Sequence, residues 1–320
     1  MSAHDAHDAH DVGEVELDAR FADAMDEFIA YIARVEGFSS ETVRAYSSHL
    51  EAFGRWCARA AEDALALDVR GFRRYLADMR RAGYAPSTCA AHLSSIRSFF
   101  RWCLFEGVVE TEAASSIQMP KIPKNLPKTI VASDMDRLLN TPDNTTAEGL
   151  RDAAMLELFY ATGARISELS GLDIEDFDMG TRTVRLFGKG SKERIVPVYR
   201  RALEAVRCYI EQGRPALLEA SGRRDAGRRR PLFISKRGNR MDAAALRYRF
   251  RALCRRAGLP SDVTPHVMRH TFATDLLAGG ADLRSVQELL GHASLSTTTL
   301  YTHLTPDRLK TVVKSAHPRT

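Results

Sequence analysis

Two histidines and an arginine share one face of a predicted helix in the stretch TPHVMRHTFATDLL. His266 and His270 are four positions apart, the spacing of two zinc ligands on a helix, and Arg269 lies between them. A zinc protease needs a glutamate where Val267 stands, and a central arginine would repel the metal. Thr264 is a good N-cap, which puts His266 in the first turn, where free N–H groups favour an anion. The pattern therefore indicates a phosphate site made by His266 and Arg269, and we interpret His270 as a packing or hydrogen-bonding residue.

Three further motifs carry residues suited to phosphate chemistry. ATGARISEL places Arg165 just after a helix break, and GKGSKERIVPV carries Lys189 in a turn. LLGHASLSTTTLYTHL holds His292 and Tyr301. Cleavage of a phosphodiester needs cations and N–H donors at the equatorial oxygens, in-line geometry and an acid for the leaving oxygen. Arginine contacts phosphate in bidentate form without losing its charge, and tyrosine can attack to give a covalent phosphotyrosine.

Nearby polar residues leave other interpretations open. Glu168, one turn after Arg165, is expected to support an arginine or the helix start rather than to take part in the chemistry. Lys192 is the alternative acid to Lys189 if the strand register differs. Four acids could hold the metal ions of a nuclease, but their place at a helix end before a turn favours solvated polar residues. They are Asp173, Glu175, Asp176 and Asp178.

Local patterns predict the elements that position these residues. A capping box at Ser133 begins one helix, and a second helix through AAMLELFYATG ends near Gly163. β-prone residues alternate over 183–187 and 194–199 around the Gly-rich turn at 188–191, which predicts a hairpin. From there to the C-terminus the pattern is helical again.

The N-terminal part contains two similar helical segments. SSETVRAYSSHLEAFGRWC and APSTCAAHLSSIRSFFRWC align with a shift of 46 positions, so Phe53 matches Phe99 (99 − 53 = 46). We interpret them as two core helices of a small bundle, with residues 65–81 packed between and the tryptophans and cysteines in the core. Their arginines are either phosphate contacts or plain surface residues. The candidates are Arg44, Arg97 and Arg101.

A basic, proline-rich segment separates this part from a larger C-terminal part. SSIQMPKIPKNLPKTI contains three prolines, which block helices and sheet ladders. Lys121 and Lys124 in it are further candidate phosphate contacts. The sequence predicts a disordered acidic leader at 1–16, a helical domain at 17–113, a linker at 114–132 and a larger C-terminal domain at 133–320 that carries the phosphate motifs.

Composition narrows the class of protein and partner. A chain of 320 residues with 44% apolar content predicts a globular protein of two domains. The net charge is +5, but residues 1–27 hold nine acids and one arginine, so the rest carries 45 − 32 = +13. This asymmetry indicates a polyanionic partner or a solvated arginine-rich surface. Five scattered cysteines without CxxC fit reduced core residues. No apolar run approaches about 18 residues and the N-terminus does not resemble a signal peptide, which favours the cytoplasm.

Together the motifs ATGARISEL, GKGSKERIVPV, HVMRHTFAT and LLGHASLSTTTLYTH resemble, in sequence and order, those of the tyrosine recombinase (phage integrase) family. Within it the chain resembles bacterial XerC/XerD-type site-specific recombinases, and THLTPDRLKTVVKSAHPR is similar to their C-terminal tail. The resemblance runs from about residue 21 to the end. It implies a mainly α fold, the DNA breaking-rejoining fold. A helical core-binding (SAM-like) bundle precedes a mostly helical catalytic domain with a small antiparallel β-sheet.

By position, the resemblance also implies a role for each catalytic candidate. The set is Arg165, Lys189, His266, Arg269, His292 and Tyr301. The arginines clamp the scissile phosphate, the histidines donate hydrogen bonds, and His266 also handles the proton of the nucleophile. The lysine protonates the leaving 5′ oxygen, while the tyrosine attacks and holds the 3′ phosphate. A 5′ hydroxyl of another duplex reverses the step, as in type IB topoisomerases, so no metal, ATP or other cofactor is needed.

The partners implied by the resemblance are double-stranded DNA and other recombinase subunits. A homotetramer, or a heterotetramer with a paralogue, would exchange strands, and the C-terminal tail would dock in trans on a neighbour. The implied role is chromosome-dimer resolution at cell division, with a DNA translocase at the septum as a partner and no membrane contact. The alternatives are the integrase of a mobile element and a non-catalytic DNA-binding relative. A metal-dependent hydrolase is the most distant one.

Overall fold

The computed structural model of the chain describes residues 16–121, 128–188, 193–225, 229–291 and 306–319. The chain divides into two units, residues 1–125 and 126–320. Both are mainly helical, and the second also contains a three-stranded antiparallel sheet. The fold class predicted from the sequence is thereby confirmed. None of the described helices is both long and apolar enough to cross a bilayer.

In its described residues, the first unit is a bundle of four helices, and the first three begin with a side-chain cap. Ser39 caps the second helix as predicted, because its hydroxyl accepts a hydrogen bond from the backbone N–H of Thr42 at 3.4 Å. Pro86 stands at the first position of the fourth helix, where a missing N–H costs nothing. The helices are α1 (Ala19–Arg34), α2 (Ser40–Arg59), α3 (Val69–Arg81) and α4 (Pro86–Phe105), followed by a 3₁₀ turn at Ala114–Ser116.

The two similar sequence segments form α2 and α4, and their matched residues share the core. The buried pairs are Phe53 with Phe99 and Cys57 with Cys103. The expectation for the tryptophans was wrong in degree, because Trp56 and Trp102 are only half-buried. Trp56 Nε1 donates to Asp78 at 3.0 Å, so its polar edge has a partner on α3. All five cysteines are unpaired, four of them buried and Cys208 half-buried.

Both ends of the proline-rich segment are anchored in a core. Ala114 and Ile117 pack in the first unit, and Ile130 packs in the second. The backbone N–H of Ile130 donates to Thr271 Oγ1 at 2.9 Å. Core contacts therefore extend into the proline-rich segment from both of its ends.

In its described residues, the second unit contains nine α-helices and a three-stranded sheet, with the buried helix Ala147–Thr162 near its centre. The elements are α5 (Ala132–Leu139), α6 (Ala147–Thr162), α7 (Ile166–Gly171), β1 (Phe177–Asp178), β2 (Thr183–Phe187), β3 (Glu193–Pro197), α8 (Arg200–Cys208), α9 (Arg214–Ser221), α10 (Ala243–Arg256), α11 (Pro265–Ala278), α12 (Leu283–Leu290) and α13 (Pro306–Ala316). Helix α6 is buried over most of its surface and packs against α8 and α11. The strand order is β1-β2-β3, with Val184 opposite Val196.

Two boundaries differ from the local patterns. The capping box predicted at Ser133 is wrong, because α5 starts one residue earlier and Val131 precedes it without a side-chain cap. Strand β3 ends at Pro197, and the buried Tyr199 stands at the start of α8 instead. The hairpin prediction is otherwise confirmed, since β2 and β3 pair over all five residues.

Helix α13 packs on the second unit of its own chain, against β3, α11 and α12. Leu309, Val313 and Ala316 belong to the core. His317 follows them, and its Nε2 lies 3.2 Å from the carbonyl oxygen of Tyr160. Docking of the tail in trans is a property of an assembly, and it stays a prediction. In the single chain the tail completes the core in cis.

Acid should weaken this tail packing through His317. Burial lowers the pKa of His317 from 6.5 to about 4, with Arg319 nearby acting in the same direction. As the pH falls, the unfolded chain therefore binds a proton at His317 before the folded chain does. The neutral, buried His317 thus contributes its full stabilisation of the fold above pH 6.5, and this contribution is lost as the pH falls towards 4. The loss corresponds to about 3 kcal/mol. The free energy of unfolding, measured by denaturant titration at pH 6.5 and at pH 4, should fall more for the wild type than for His317→Phe. Equal decreases in the two proteins would contradict this role of His317.

Candidate active site

Helix α11 presents His266 and Arg269 from its first two turns. Thr264 caps the helix, with its Oγ1 accepting from the N–H of Val267 at 3.4 Å, and Pro265 stands first in the helix. This helix start is the predicted one. His266 is exposed in the first turn, while Arg269 is half-buried one turn later.

Arg269 connects three elements through its guanidinium group. Its Nη1 donates to the carbonyl of Gly163 and its Nη2 to that of Leu290, both at 2.6 Å. Gly163 ends α6 with φ of +55°, a backbone conformation that suits glycine, and Leu290 ends α12. The next residues after Gly163 lead to Arg165, which stands at the N-cap of α7.

These residues meet at one cleft of about 150 Å³. Arg165, His266 and Arg269 line it together. Arg247 and Arg251, one turn apart on α10, line it as well. Among the described residues that line the cleft, none is acidic. The cleft is therefore a concentrated positive surface.

The positive charges in and beside the cleft repel one another. Burial, followed by the nearby charges of Arg165 and Arg194, lowers the pKa of Arg269 to about 10, and Glu168 offsets part of this. Arg269 still carries its proton at neutral pH. Like charges held this close favour an anion that can accept hydrogen bonds from both.

Glu168 supports the arginines, which confirms its predicted role. Its buried Oε2 accepts from the backbone N–H of Arg165 at 2.6 Å, closing the N-terminus of α7. Its two oxygens also accept from Arg194 Nη1 at 2.8 Å and Nη2 at 2.7 Å. Burial raises the pKa of Glu168, but hydrogen bonds from Arg194 and Arg165 outweigh it and hold the pKa below its usual value. The group is a carboxylate at neutral pH.

Other predicted site residues fall in different places. The catalytic candidates Lys189, His292 and Tyr301, the alternative Lys192, and Lys124 lie outside the described residues. Arg44, Arg101 and Lys121 are exposed, and His270 is half-buried.

Arg97 is used inside the first unit. Its Nε donates to the carbonyl of Ala114 at 3.1 Å, and its Nη2 donates to those of Ser115, at 3.1 Å, and Ile117. These bonds fasten the segment after α4, so Arg97 has a structural role within the first unit.

The acidic group after α7 is structural, and the expectation of solvated side chains was wrong for two members. Asp173 and Asp176 are buried. Asp173 pairs with Arg240, and Asp176 accepts from the backbone N–H of Asp173 at 3.0 Å. Glu175 pairs with Arg230 at 2.7 Å. Within the described ranges, no three His, Cys, Asp or Glu residues are grouped in a way that could hold a metal ion.

Sequence reasoning missed the contribution of α10. The spacing of Arg247 and Arg251 on one helical face was a usable signal, although it does not reveal which cleft that face lines. The buried Asp152 of α6 positions this helix. It accepts from Arg249 Nε at 2.7 Å and from Arg151 Nη2 at 2.9 Å. This buried network ties α10 to the central helix.

Gly163 should be essential for the position of Arg269. A Cβ at this residue would overlap the ring of the buried Phe272, and φ of +55° is strained for any other residue type. We expect Gly163→Ala to shift the carbonyl that holds Arg269 and to slow the phosphodiester cleavage expected from the sequence by about 10- to 100-fold. Gly171→Ala is the matched control, since nothing lies within 4 Å of its added Cβ. Equal single-turnover cleavage rates in the two variants would refute this.

Two profiles of known protein families match the chain. Residues 25–107 match the profile of the phage integrase N-terminal SAM-like domain. Residues 128–308, more than half of the chain, match the profile of the phage integrase family. The chain belongs to the phage integrase family.

Relatives of this phage integrase family member carry tyrosine recombinase names. The tyrosine recombinase XerD of Listeria innocua is 37% identical over 299 residues, covering 93% of this chain and 99% of the relative. The tyrosine recombinase XerC of Myxococcus xanthus is 40% identical over 296 residues, covering 92% and 97%. The resemblance to XerC/XerD-type recombinases deduced from the motifs is confirmed.

Solved structures of the phage integrase family share the fold. The Tn1549 transposon integrase, in complex with transposon right end DNA, has a TM-score of 0.66 at 16% identity, covering 92% of this chain and 98% of that one. A lambda integrase tetramer bound to a Holliday junction has a TM-score of 0.62 at 17% identity, covering 86% and 75%. At these identities the likeness concerns the fold.

Proposed function

We propose that this chain is a site-specific recombinase that cuts duplex DNA, holds one strand as a 3′-phosphotyrosyl ester and joins it to another duplex. The observation that carries the proposal is the cleft shared by Arg165, His266 and Arg269. A phosphodiester suits it, because two guanidinium groups and an imidazole can donate to the oxygens on which negative charge develops. The tyrosine recombinase names of the relatives support the same chemistry.

The proposed reaction begins with attack on phosphorus by the hydroxyl oxygen of Tyr301. As the new P–O bond forms, the bond from phosphorus to the 5′ oxygen breaks, and Lys189 gives that oxygen a proton. His266 takes the phenolic proton, while Arg165, Arg269 and His292 stabilise the phosphorane charge. A 5′ hydroxyl of a second duplex then reverses the step. Each bond broken is replaced by an equivalent one, so the proposal requires neither ATP nor a metal.

Phosphate contacts along the duplex would supply most of the affinity. We assign the helical domain at 17–113 and the catalytic domain at 133–320 to the DNA, joined by the linker at 114–132. Arg44, Arg101, Lys121 and Lys124 are the proposed contacts from the first domain and the linker. Their neutralised phosphates would release counterions, so the affinity should fall by about 0.9 log unit per log unit of salt for each contact.

Strand exchange between two duplexes would require four subunits. The solved lambda integrase tetramer on a Holliday junction has the same fold and supports this part of the proposal. The subunits would be copies of this chain, or this chain and a paralogue, with the tail docking in trans. Since α13 packs in cis in the single chain, assembly would have to release it first.

The biological role that we propose is the resolution of chromosome dimers at cell division, with a DNA translocase at the septum as partner. XerC and XerD names over more than 90% of the chain support it against the integrase of a mobile element. A chromosomal substrate would place the protein in the bacterial cytoplasm.

Covalent trapping tests the proposed function. Duplexes that the chain binds are first selected from a random pool, and nicks are then placed at successive positions beside the cleavage site. A nick lets the short 5′-hydroxyl fragment diffuse away, so the wild type should accumulate an adduct that survives a denaturing gel. A chelator should not reduce its yield. A wild type that binds the selected DNA but forms no adduct at any nick position would contradict cleavage and leave the non-catalytic DNA-binding alternative.

A further inference from the structure

A buried carboxylate lies directly behind the positive cleft. Glu168 accepts four hydrogen bonds: from the backbone N–H of Arg165 at 2.6 Å, from Arg165 Nη1 at 3.0 Å and from the two Nη atoms of Arg194. Its negative charge opposes the positive potential that a phosphate would meet. A buried carboxylate is most stable when a guanidinium group donates to both of its oxygens. Arg165 and Arg194 can both serve as that partner, and the one that does not pair with Glu168 in this way stays available to bind a phosphate.

Arg194 of β3 is committed to the protein. Its side chain is 11% exposed. Its two Nη atoms donate hydrogen bonds to the two carboxylate oxygens of Glu168, and its Nε donates to the carbonyl of Leu289 at 2.9 Å. Arg165 differs, because its side chain is 41% exposed. Among the described residues, the Nε and Nη2 of Arg165 have no hydrogen-bond partner, and the side chain lines the cleft.

We propose that Arg194 is a positioning residue that neutralises Glu168 and thereby keeps Arg165 available for the scissile phosphate. The inference rests on the proposed function. Arg165 is three residues from Glu168 and already touches it through Nη1, so an unopposed carboxylate would draw the whole guanidinium into a two-point pair. Arg194 holds both oxygens in that geometry and prevents this.

The same arginine also holds the end of α12. Arg194 binds the carbonyl of Leu289, and Arg269 binds the carbonyl of the next residue, Leu290. Gly291 then turns with φ of +65°, and an added Cβ there would lie 3.1 Å from Arg194 Cδ. Loss of Arg194 therefore has two consequences: capture of Arg165 by Glu168, and release of α12. The experiment must separate them.

A double-mutant cycle separates charge neutralisation from anchoring. The variants Arg194→Met, Glu168→Gln and their combination are compared with the wild type for DNA affinity and single-turnover cleavage of the nicked duplex. Arg194→Met should slow cleavage about 100-fold while the Kd changes less than about threefold. Adding Glu168→Gln should restore at least about tenfold, since a neutral amide cannot capture Arg165. A double variant no faster than Arg194→Met would overturn the inference.

Controls keep the outcome decisive. Arg185 of β2 pairs with the buried Asp176 at 3.4 Å and does not line the cleft, so Arg185→Met, with or without Asp176→Asn, should leave cleavage unchanged. If Arg194→Met does not fold, Arg194→Lys takes its place. A lysine holds one oxygen at a time, so the loss should be smaller, and Glu168→Gln should again reverse it. A wild type that forms no adduct overturns the proposed function; a cleaving wild type without rescue overturns this inference alone.

Discussion

Replacing Tyr301 by phenylalanine should abolish the covalent protein–DNA adduct and leave DNA binding within about twofold of the wild type. The substitution removes the one oxygen that the proposed reaction uses to attack phosphorus. The contacts proposed for DNA binding come from arginine, lysine and histidine side chains, which the variant keeps. The measurement pairs a gel-shift titration with a denaturing gel of the nicked duplex, in the same buffer and for the same time.

Another tyrosine of the second unit provides the matched control. Tyr248 of α10 is 70% exposed and follows Arg247 in sequence, but it is not among the residues that line the cleft. Tyr209 is fully buried, and its hydroxyl accepts from the backbone N–H of Ile234 at 3.2 Å. Tyr248→Phe should form the adduct normally. An adduct that persists in Tyr301→Phe and vanishes in Tyr248→Phe would assign the nucleophile to α10.

Replacing Arg269 by lysine should slow cleavage by about 10²- to 10³-fold without unfolding the protein. Lysine keeps the positive charge but is a single-point donor, whereas Arg269 spans the carbonyls of Gly163 and Leu290. The variant cannot hold the ends of α6 and α12 and face a phosphate at the same time. Single-turnover cleavage at saturating DNA isolates this effect from changes in affinity.

An exposed arginine of α10 tests whether charge alone matters at Arg269. Arg255 stands in the last turn of α10 and does not line the cleft, so Arg255→Lys should cleave at the wild-type rate. If Arg269→Lys also cleaved at that rate, the geometry of the guanidinium group would be irrelevant to cleavage. The proposed role of Arg269, which holds two carbonyls while it faces the phosphate, would then be wrong.

Short-range patterns predicted the parts of the fold and site that depend on a few neighbouring residues. Thr264 caps α11, Gly163 ends α6, and the β2–β3 hairpin pairs as expected, because each depends on local backbone chemistry. The motif order led to the family for a similar reason. Its residues are close together within each motif, even though the motifs are far apart.

Contacts between distant residues escaped prediction. Arg194 and Glu168 are 26 positions apart, and no local pattern shows that they form a pair. Arg97 carries the charge expected of a DNA contact, yet carbonyls about twenty positions later take its guanidinium. Periodicity identifies the apolar face of α13 but not whether that face packs in cis or in trans. Each of these outcomes depends on tertiary packing. Several chemically equivalent partners are possible for each side chain, and the folded chain determines which of them it contacts.

In the proposed reaction, Tyr301 becomes linked to a 3′ phosphate of DNA. The most direct measurement is mass spectrometry of the trapped adduct after digestion by protease and nuclease, with kinase labelling of the released strand. We expect a nucleotide on the peptide that contains Tyr301 and a free 5′ hydroxyl on the released fragment. A nucleotide on any other residue, or a 5′ phosphate on the fragment, would contradict it.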